Sequence, residues 1–185
     1  RPGAFRADLW RTMKLWAKGG IYLDCDLELQ VPITTWIKHT NSTLFLTRDC
    51  DNFKGKNGLA WAYWNAMMAA TPRHDILEHT LRTIVHNVQA HYYAEELPAF
   101  RPLAITGPRA LGHALETYTG SLEMMSQAAQ LVVAKNEDGL DDPIVMFKNQ
   151  TIVRHRRKRG LDKTYQKTSA HYDALYRLHL VYCDE

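Results

Sequence analysis

The sequence predicts an α/β domain built on a mixed sheet. Helical and strand-like patterns alternate through the first two thirds, and shorter strand runs joined by polar turns fill the last third. A length of 185 residues with 45% hydrophobic and 23% charged residues suits one domain, residues 1–185, with a core that needs no disulfides.

From Ala4 to Lys18, Phe5, Leu9, Met13 and Trp16 recur at three- and four-residue steps, which predicts one apolar helical face. Gly19-Gly20 ends that helix, because glycine enters the left-handed region without a Cβ clash. Ile21 to Cys25 reads as a buried strand whose end reaches a polar site. Pro32 stops this segment, and a short helix follows from Ile33 to Lys38, before a turn at Asn41-Ser42. Leu44–Thr47 and Leu59–Trp64 read as strands joined by the loop Lys54–Gly58. Arg73–Tyr93 is the longest helical pattern, with Leu77, Leu81, Ile84, Val85 and Val88 on one side. Leu103–Thr106 reads as a strand, Gly107-Pro108 as a turn and Arg109–Thr119 as a helix. Strands at Leu131–Val133, Ile144–Phe147 and Thr151–Arg154 precede a terminal helix at Ser169–Leu178.

No apolar run approaches the roughly 18 to 20 residues of a membrane span, so the chain reads as soluble. It opens Arg1-Pro2-Gly3 without a methionine, as expected of a piece of something longer. Cys25, Cys50 and Cys183 lack any C-x-x-C spacing and are expected to be free, mostly packed thiols. The net charge of +3 is local, since the run Arg154–Arg159 carries about five positive charges. That run reads as a solvated loop, with a phosphate-bearing ligand or nucleic acid as its other readings. His74, His79, His86 and His91 lie along the long helix without the i, i+4 pair of a zinc site and are expected to be solvated or capping. Trp10, Trp16, Trp61 and Trp64 are expected in the core, with Trp64, beside Asn65, the one to test as a sugar platform.

Asp24-Cys25-Asp26 carries the most chemistry. In an extended segment residues i and i+2 share a face, so the two carboxylates would converge on one divalent cation while Cys25 points into packing. Oxygen ligands alone suit Mn²⁺ or Mg²⁺ and leave positions open for phosphate oxygens. About 0.8 D-x-D patterns are expected here by chance, and a second, Asp49-Cys50-Asp51, lies in a turn-rich stretch. The first stands out because it follows a helix, a Gly-Gly turn and an apolar run. Asp8 and Arg11 share a face of the preceding helix.

The run Arg6-Ala7-Asp8-Leu9-Trp10-Arg11, continuing through Gly19-Gly20-Ile21-Tyr22-Leu23-Asp24-Cys25-Asp26, resembles the signature of family-32 glycosyltransferases containing the DXD sugar-binding motif. That family includes initiation-specific α-1,6-mannosyltransferases, capsular polysaccharide enzymes and, more distantly, large glucosylating toxins. Trp64-Asn65 through Pro72-Arg73-His74 and Thr106-Gly107-Pro108 are similar to two further family motifs. The resemblance implies a GT-A-like Rossmann-type sheet flanked by helices, with the N-terminal strand-helix unit missing, and retaining, metal-dependent transfer of a hexose, mannose or similar. The implied partners are a GDP- or UDP-hexose donor and a glycan acceptor, with no nucleic acid, and membrane association only through segments outside this chain. Asp24 and Asp26 would hold Mn²⁺ (or Mg²⁺), ribose and diphosphate; Asp8 and Arg11 the donor sugar hydroxyls. Gly20 and Tyr22 belong to the donor site, Asn65 would lie beside donor or acceptor, and Gly107 would keep backbone close to the acceptor. His171, in His171-Tyr172-Asp173-Ala174-Leu175-Tyr176, stands where the family closes over the diphosphate with a His and a Trp, here replaced by Tyr. The implied compartment is the Golgi lumen for a eukaryotic enzyme and the cytoplasm for a bacterial one.

Two rival functions fit parts of the pattern. A haloacid-dehalogenase-like phosphohydrolase would use Asp24 as nucleophile, Asp26 as general acid, Leu44–Thr47 as its threonine strand and Asp141-Asp142 as its late acids. It leaves Asp8, Arg11 and Gly19-Gly20 without a task. A nucleic-acid-binding module would use Arg154–Arg159, yet no aromatic residues interleave with that run.

Overall fold

The computed structural model describes residues 3–37, 42–49, 59–93, 102–123, 125–135, 141–155, 172–179 and 181–182. In chain order the elements are α1 (Gly3–Lys18), β1 (Gly20–Leu23), β2 (Leu27–Leu29), α2 (Ile33–Ile37), β3 (Leu44–Arg48) and β4 (Tyr63–Ala70). There follow α3 (Asp75–Gln89), α4 (Pro108–Thr117), β5 (Met125–Lys135), β6 (Asp141–Phe147), β7 (Gln150–His155) and α5 (Tyr172–Arg177). The strands form one seven-stranded sheet in the order β1-β4-β3-β5-β6-β7-β2. Only β3 and β5 run parallel; the other pairs are antiparallel, which makes the sheet mixed, as expected.

Alternation along β3 separates two cores. Leu44 and Leu46 join Leu15, Met68, Ile76, Leu77, Leu111 and Leu115 beneath the layer in which α1 packs on α3 and α3 on α4. Phe45 points the other way, into a cluster with Trp36, Met67, Ala69, Val145, Ile152 and Val153. That second cluster draws on β3, β4, β5, β6 and β7, and the sheet curls around it. The curl brings the two edge strands together, because only residues 24–26 separate β1 from β2. Four Cα steps reach at most about 14 Å. The ring of Trp64 on β4 lies 6.5 Å from that of His155 on β7, across the same concave side.

Several expectations change here. β1 is an edge strand, half exposed and ending at Leu23, because only β4 pairs with it. The buried face of α1 carries Phe5, Arg11, Thr12 and Leu15, while Met13 and Trp10 are exposed, since the inward face of this helix lines a polar site. On α3 the buried set is Ile76, Leu77, Thr80, Ile84 and Asn87, which leaves Val85 and Val88 outside. The strand expected at Leu59–Trp64 begins only at Tyr63, and residues 102–104 form a 3₁₀ turn in place of a strand. Strand β2 escaped the pattern because it has three residues and pairs only with β7. His74 caps α3 through Nδ1, which accepts from the Ile76 amide (3.3 Å), as expected of a capping histidine. Asn41, Cys50, Asp51, the loop 54–58, residues 156–159 of the basic run, His171 and Cys183 lie outside the described residues.

Candidate active site

The Gly19-Gly20 turn sets the geometry. Both glycines have positive φ, 64° and 98°, and a Cβ at Gly19 would lie 2.6 Å from Pro72 Cδ and 2.9 Å from the Ala70 carbonyl oxygen. The chain therefore reverses tightly at the end of α1, and β1 runs back alongside the helix that precedes it. Asp8 and Arg11 of α1 are thereby set beside Tyr22 and Asp24 at the C-terminal end of β1.

Strand β4 supplies the third wall. Leu46 pairs with Met68 but Arg48 with Tyr63, so β4 carries surplus residues in the interval that holds Trp64 and Asn65. Such a bulge re-aims side chains. Asn65 turns toward α1, and its Nδ2 donates to Asp8 Oδ1 (2.9 Å). Its backbone carbonyl accepts from Arg11 Nη1 (3.0 Å). The same Nη1 lies 3.2 Å from Asp24 Oδ1, and the Tyr22 hydroxyl donates to that oxygen (2.5 Å). The Arg11 guanidinium sits 4.9 Å from the centroid of the Tyr22 ring. Burial, then the hydrogen bond to Asp24, hold the Tyr22 phenol well above its ordinary pKa, so it stays a donor.

The T-G-P segment closes the far side of Asp8. Thr106 Oγ1 donates to Asp8 Oδ2 (2.9 Å), and a Cβ at Gly107 would meet that oxygen at 3.3 Å and the Leu103 carbonyl oxygen at 3.2 Å. A side chain at Gly107 would thus crowd Asp8 by a few tenths of an ångström. Both oxygens of Asp8 are engaged by neutral donors, with Arg11 Nη2 3.6 Å from Oδ1. Burial nevertheless raises the Asp8 carboxyl pKa above its ordinary value; Arg11, Thr106 and Asn65 pull against that rise.

Of the sequence-predicted residues, the fold brings together Asp8, Arg11, Tyr22, Asp24, Asn65 and Gly107. Gly20 stands exposed at the start of β1. Asp24, Cys25 and Asp26 form a turn, where an extended strand was expected, and Cys25 is consequently exposed instead of packed. Asp26 lies toward β7, with Oδ2 3.2 Å from His155 Nε2. His155 lies within the basic run and Thr106 within the T-G-P motif, and neither has a local spacing signal that reveals its partner.

Asp24 and Asp26 offer hard oxygen donors on partly exposed side chains. Among the described residues no group of three or more His, Cys, Asp or Glu side chains could hold a metal ion by itself. Two carboxylates still suit a cation that takes its remaining ligands from phosphate and water. Thr47, the residue a phosphohydrolase would need at its second strand, is buried and donates to the Met67 carbonyl within the sheet (3.3 Å).

Residues 2–43 match the glycosyltransferase sugar-binding region containing the DXD motif. No curated protein matches the chain. Among the described residues no helix is long and apolar enough to cross a membrane. The matched stretch holds Asp8, Arg11, Tyr22, Asp24 and Asp26, four of which meet Asn65 or one another in the geometry above, and it marks the chain as a glycosyltransferase.

Proposed function

We propose that this chain is a family-32 glycosyltransferase with a GT-A-like fold that transfers a hexose, mannose or a similar sugar, from a GDP- or UDP-sugar to a glycan hydroxyl with retention of configuration. The observation that carries the reading is the junction of four polar residues from three elements: Asp8 and Arg11 of α1, Asp24 after β1 and Asn65 of β4. A phosphohydrolase built on Asp24 has no use for that junction.

Asp24 and Asp26 would hold Mn²⁺ (or Mg²⁺). The cation supplies stabilisation of the negative charge that gathers on the leaving diphosphate. Arg11 adds a fixed positive charge beside Asp24, and its fork is already anchored on the Asn65 carbonyl, so little reorganisation is needed as charge develops. Asp8 orients the donor sugar hydroxyls through lone pairs left over after Asn65 and Thr106 are satisfied. Among the described residues no dedicated nucleophile is assigned. The bond from the sugar's anomeric carbon to the diphosphate breaks, the bond to the acceptor oxygen forms on the same face, and the acceptor proton passes to the departing phosphate. Gly107 keeps the backbone close to the acceptor site, and the role of His171 toward the diphosphate rests on the family resemblance alone. The enzyme works in the Golgi lumen if eukaryotic and in the cytoplasm if bacterial.

Calorimetric titration with UDP and GDP, each with and without Mn²⁺, tests the reading on the chain and on Asp24→Asn/Asp26→Asn. Metal-dependent binding that the double variant loses is the expected result, and the preferred base names the donor class. Binding of neither nucleotide, or binding indifferent to both metal and substitution, refutes it.

A further inference from the structure

The wall that holds Asp8 on its far side is not part of the sheet. Residues 102–104 form a 3₁₀ turn, and Thr106 and Gly107 follow before α4 begins at Pro108, so no strand ladder fixes the backbone that carries the Thr106 hydroxyl. That hydroxyl nevertheless reaches Asp8 Oδ2 at 2.9 Å. Its backbone is held from outside the segment.

Asn87 on α3 does the holding. Its Nδ2 donates to the carbonyl oxygens of Ala104 (3.0 Å) and Ile105 (3.1 Å), the two residues before Thr106. Both protons of the amide are thereby engaged by one stretch of backbone. Asn87 is buried on a helix face otherwise made of Ile76, Leu77, Thr80 and Ile84. Asparagine is a poor helix former and a buried amide is costly unless bonded, so these two bonds account for its place there. The Ile105 side chain packs against Phe5 of α1 and Tyr176 of α5. Such packing is non-directional, whereas hydrogen bonds to successive carbonyls fix the planes of two peptide units, and with them the direction in which Thr106 leaves the chain.

From these contacts we infer that Asn87 is a positioning residue for the donor sugar: it fixes the backbone through which Thr106 orients the Asp8 carboxylate. This inference rests on the role toward the sugar hydroxyls proposed above for Asp8. The contacts run from Asn87 through Ile105 and Thr106 to a residue that serves the sugar, while the diphosphate and its cation fall to Asp24 and Asp26. Loss of Asn87 should therefore be felt by a nucleotide sugar and not by the bare nucleoside diphosphate.

The test compares calorimetric affinities for GDP-mannose and UDP-glucose with those for GDP and UDP, all with Mn²⁺. In Asn87→Leu, which keeps the volume and removes the amide, nucleotide-sugar affinity should fall about fivefold or more while nucleoside diphosphate affinity stays within twofold. Asn87→Ala leaves room for water to serve the two carbonyls and should show the same split, which keeps the test open where the leucine variant fails to fold. In a Thr106→Val background Asn87→Leu should add less than twofold to the loss of sugar affinity, although it still lowers stability in urea. Ile76→Val, a core change about three turns earlier on α3, should lower stability without the split. Equal losses for nucleotide sugar and nucleoside diphosphate, an unchanged sugar affinity, or full additivity with Thr106→Val overturns the inference alone. A parent chain that binds none of the four ligands overturns the nucleotide-sugar reading and the inference together.

Discussion

Replacing Thr106 with valine preserves the shape of a buried side chain and removes one hydroxyl, the donor to Asp8 Oδ2 at 2.9 Å. Hydrogen bonds to charged groups contribute about 1.5–3 kcal/mol, and a chain of this size shifts its Tm by about 2–4 °C per kcal/mol, so Thr106→Val should lower Tm by about 3–12 °C at a pH where Asp8 is ionised. The pH dependence is the sharper signature. Burial puts the folded Asp8 pKa above the unfolded one, so the folded state holds the proton over the interval between them. Stability attributable to Asp8 therefore falls as pH rises through that interval and is flat above it. The Thr106 hydrogen bond favours the ionised carboxylate; removing it raises the folded pKa further. The cost of Thr106→Val is thus complete above that pKa and shrinks as Asp8 takes up its proton. Urea denaturation of the parent, Thr106→Val, Asp8→Asn and the double variant between about pH 4 and pH 8 measures this as a thermodynamic cycle. In the Asp8→Asn background the valine should cost only the about 0.5–1.5 kcal/mol of a neutral hydrogen bond, with no pH dependence from this pair. A cost in the parent background below about 0.5 kcal/mol, or one constant across the pH range, would refute the account of Asp8 as a buried carboxylate held by Thr106.

The other expectations concern the turn and the fork. Gly19→Ala combines a left-handed backbone with a Cβ 2.6 Å from Pro72 Cδ, and should cost about 2–5 kcal/mol in urea denaturation; a loss under about 1 kcal/mol would show that α1 and β1 do not meet as described. Arg11→Lys keeps the charge but loses the guanidinium that sets Nη1 between the Asn65 carbonyl and Asp24 while Nη2 faces Asp8, so nucleotide-sugar affinity in calorimetry should fall about tenfold or more, and a change within twofold would count against Arg11 as the anchor. Cys25, exposed between two acids, should be alkylated in the folded protein, as read by peptide mass mapping, and Mn²⁺ with nucleotide should slow that labelling; equal rates with and without them would separate the turn from the ligand site.

Local pattern made the alternating architecture, the Gly19-Gly20 stop and the helix after Gly107-Pro108 legible. It misjudged faces for a consistent reason. The Phe5-Leu9-Met13-Trp16 stripe on α1 is the apolar one, yet the helix turns Arg11 and Thr12 inward because they serve a polar junction that only the folded neighbours define. The same holds for Asn65, whose direction depends on surplus residues in β4 relative to β3. Asp8, Arg11, Asp24 and Asp26 were readable because they lie within a short stretch at fixed spacing. Thr106 and His155 were not, since each meets its aspartate across about a hundred residues or more and sequence distance carries no trace of such a pairing.

The turn that joins the two edges of the sheet also orders assembly. β1 finds β4 about forty-five residues away, whereas β2 must wait for β7, well over a hundred residues downstream. Closing the longer loop costs more chain entropy and makes that pairing among the slowest to form. Asp24 is therefore in place as soon as α1, β1 and β4 have met, while Asp26 acquires its neighbour only when the final hairpin β6–β7 arrives. During refolding the capacity to bind a nucleotide with its cation should mature after most of the secondary structure, as the last event of the sheet's closure.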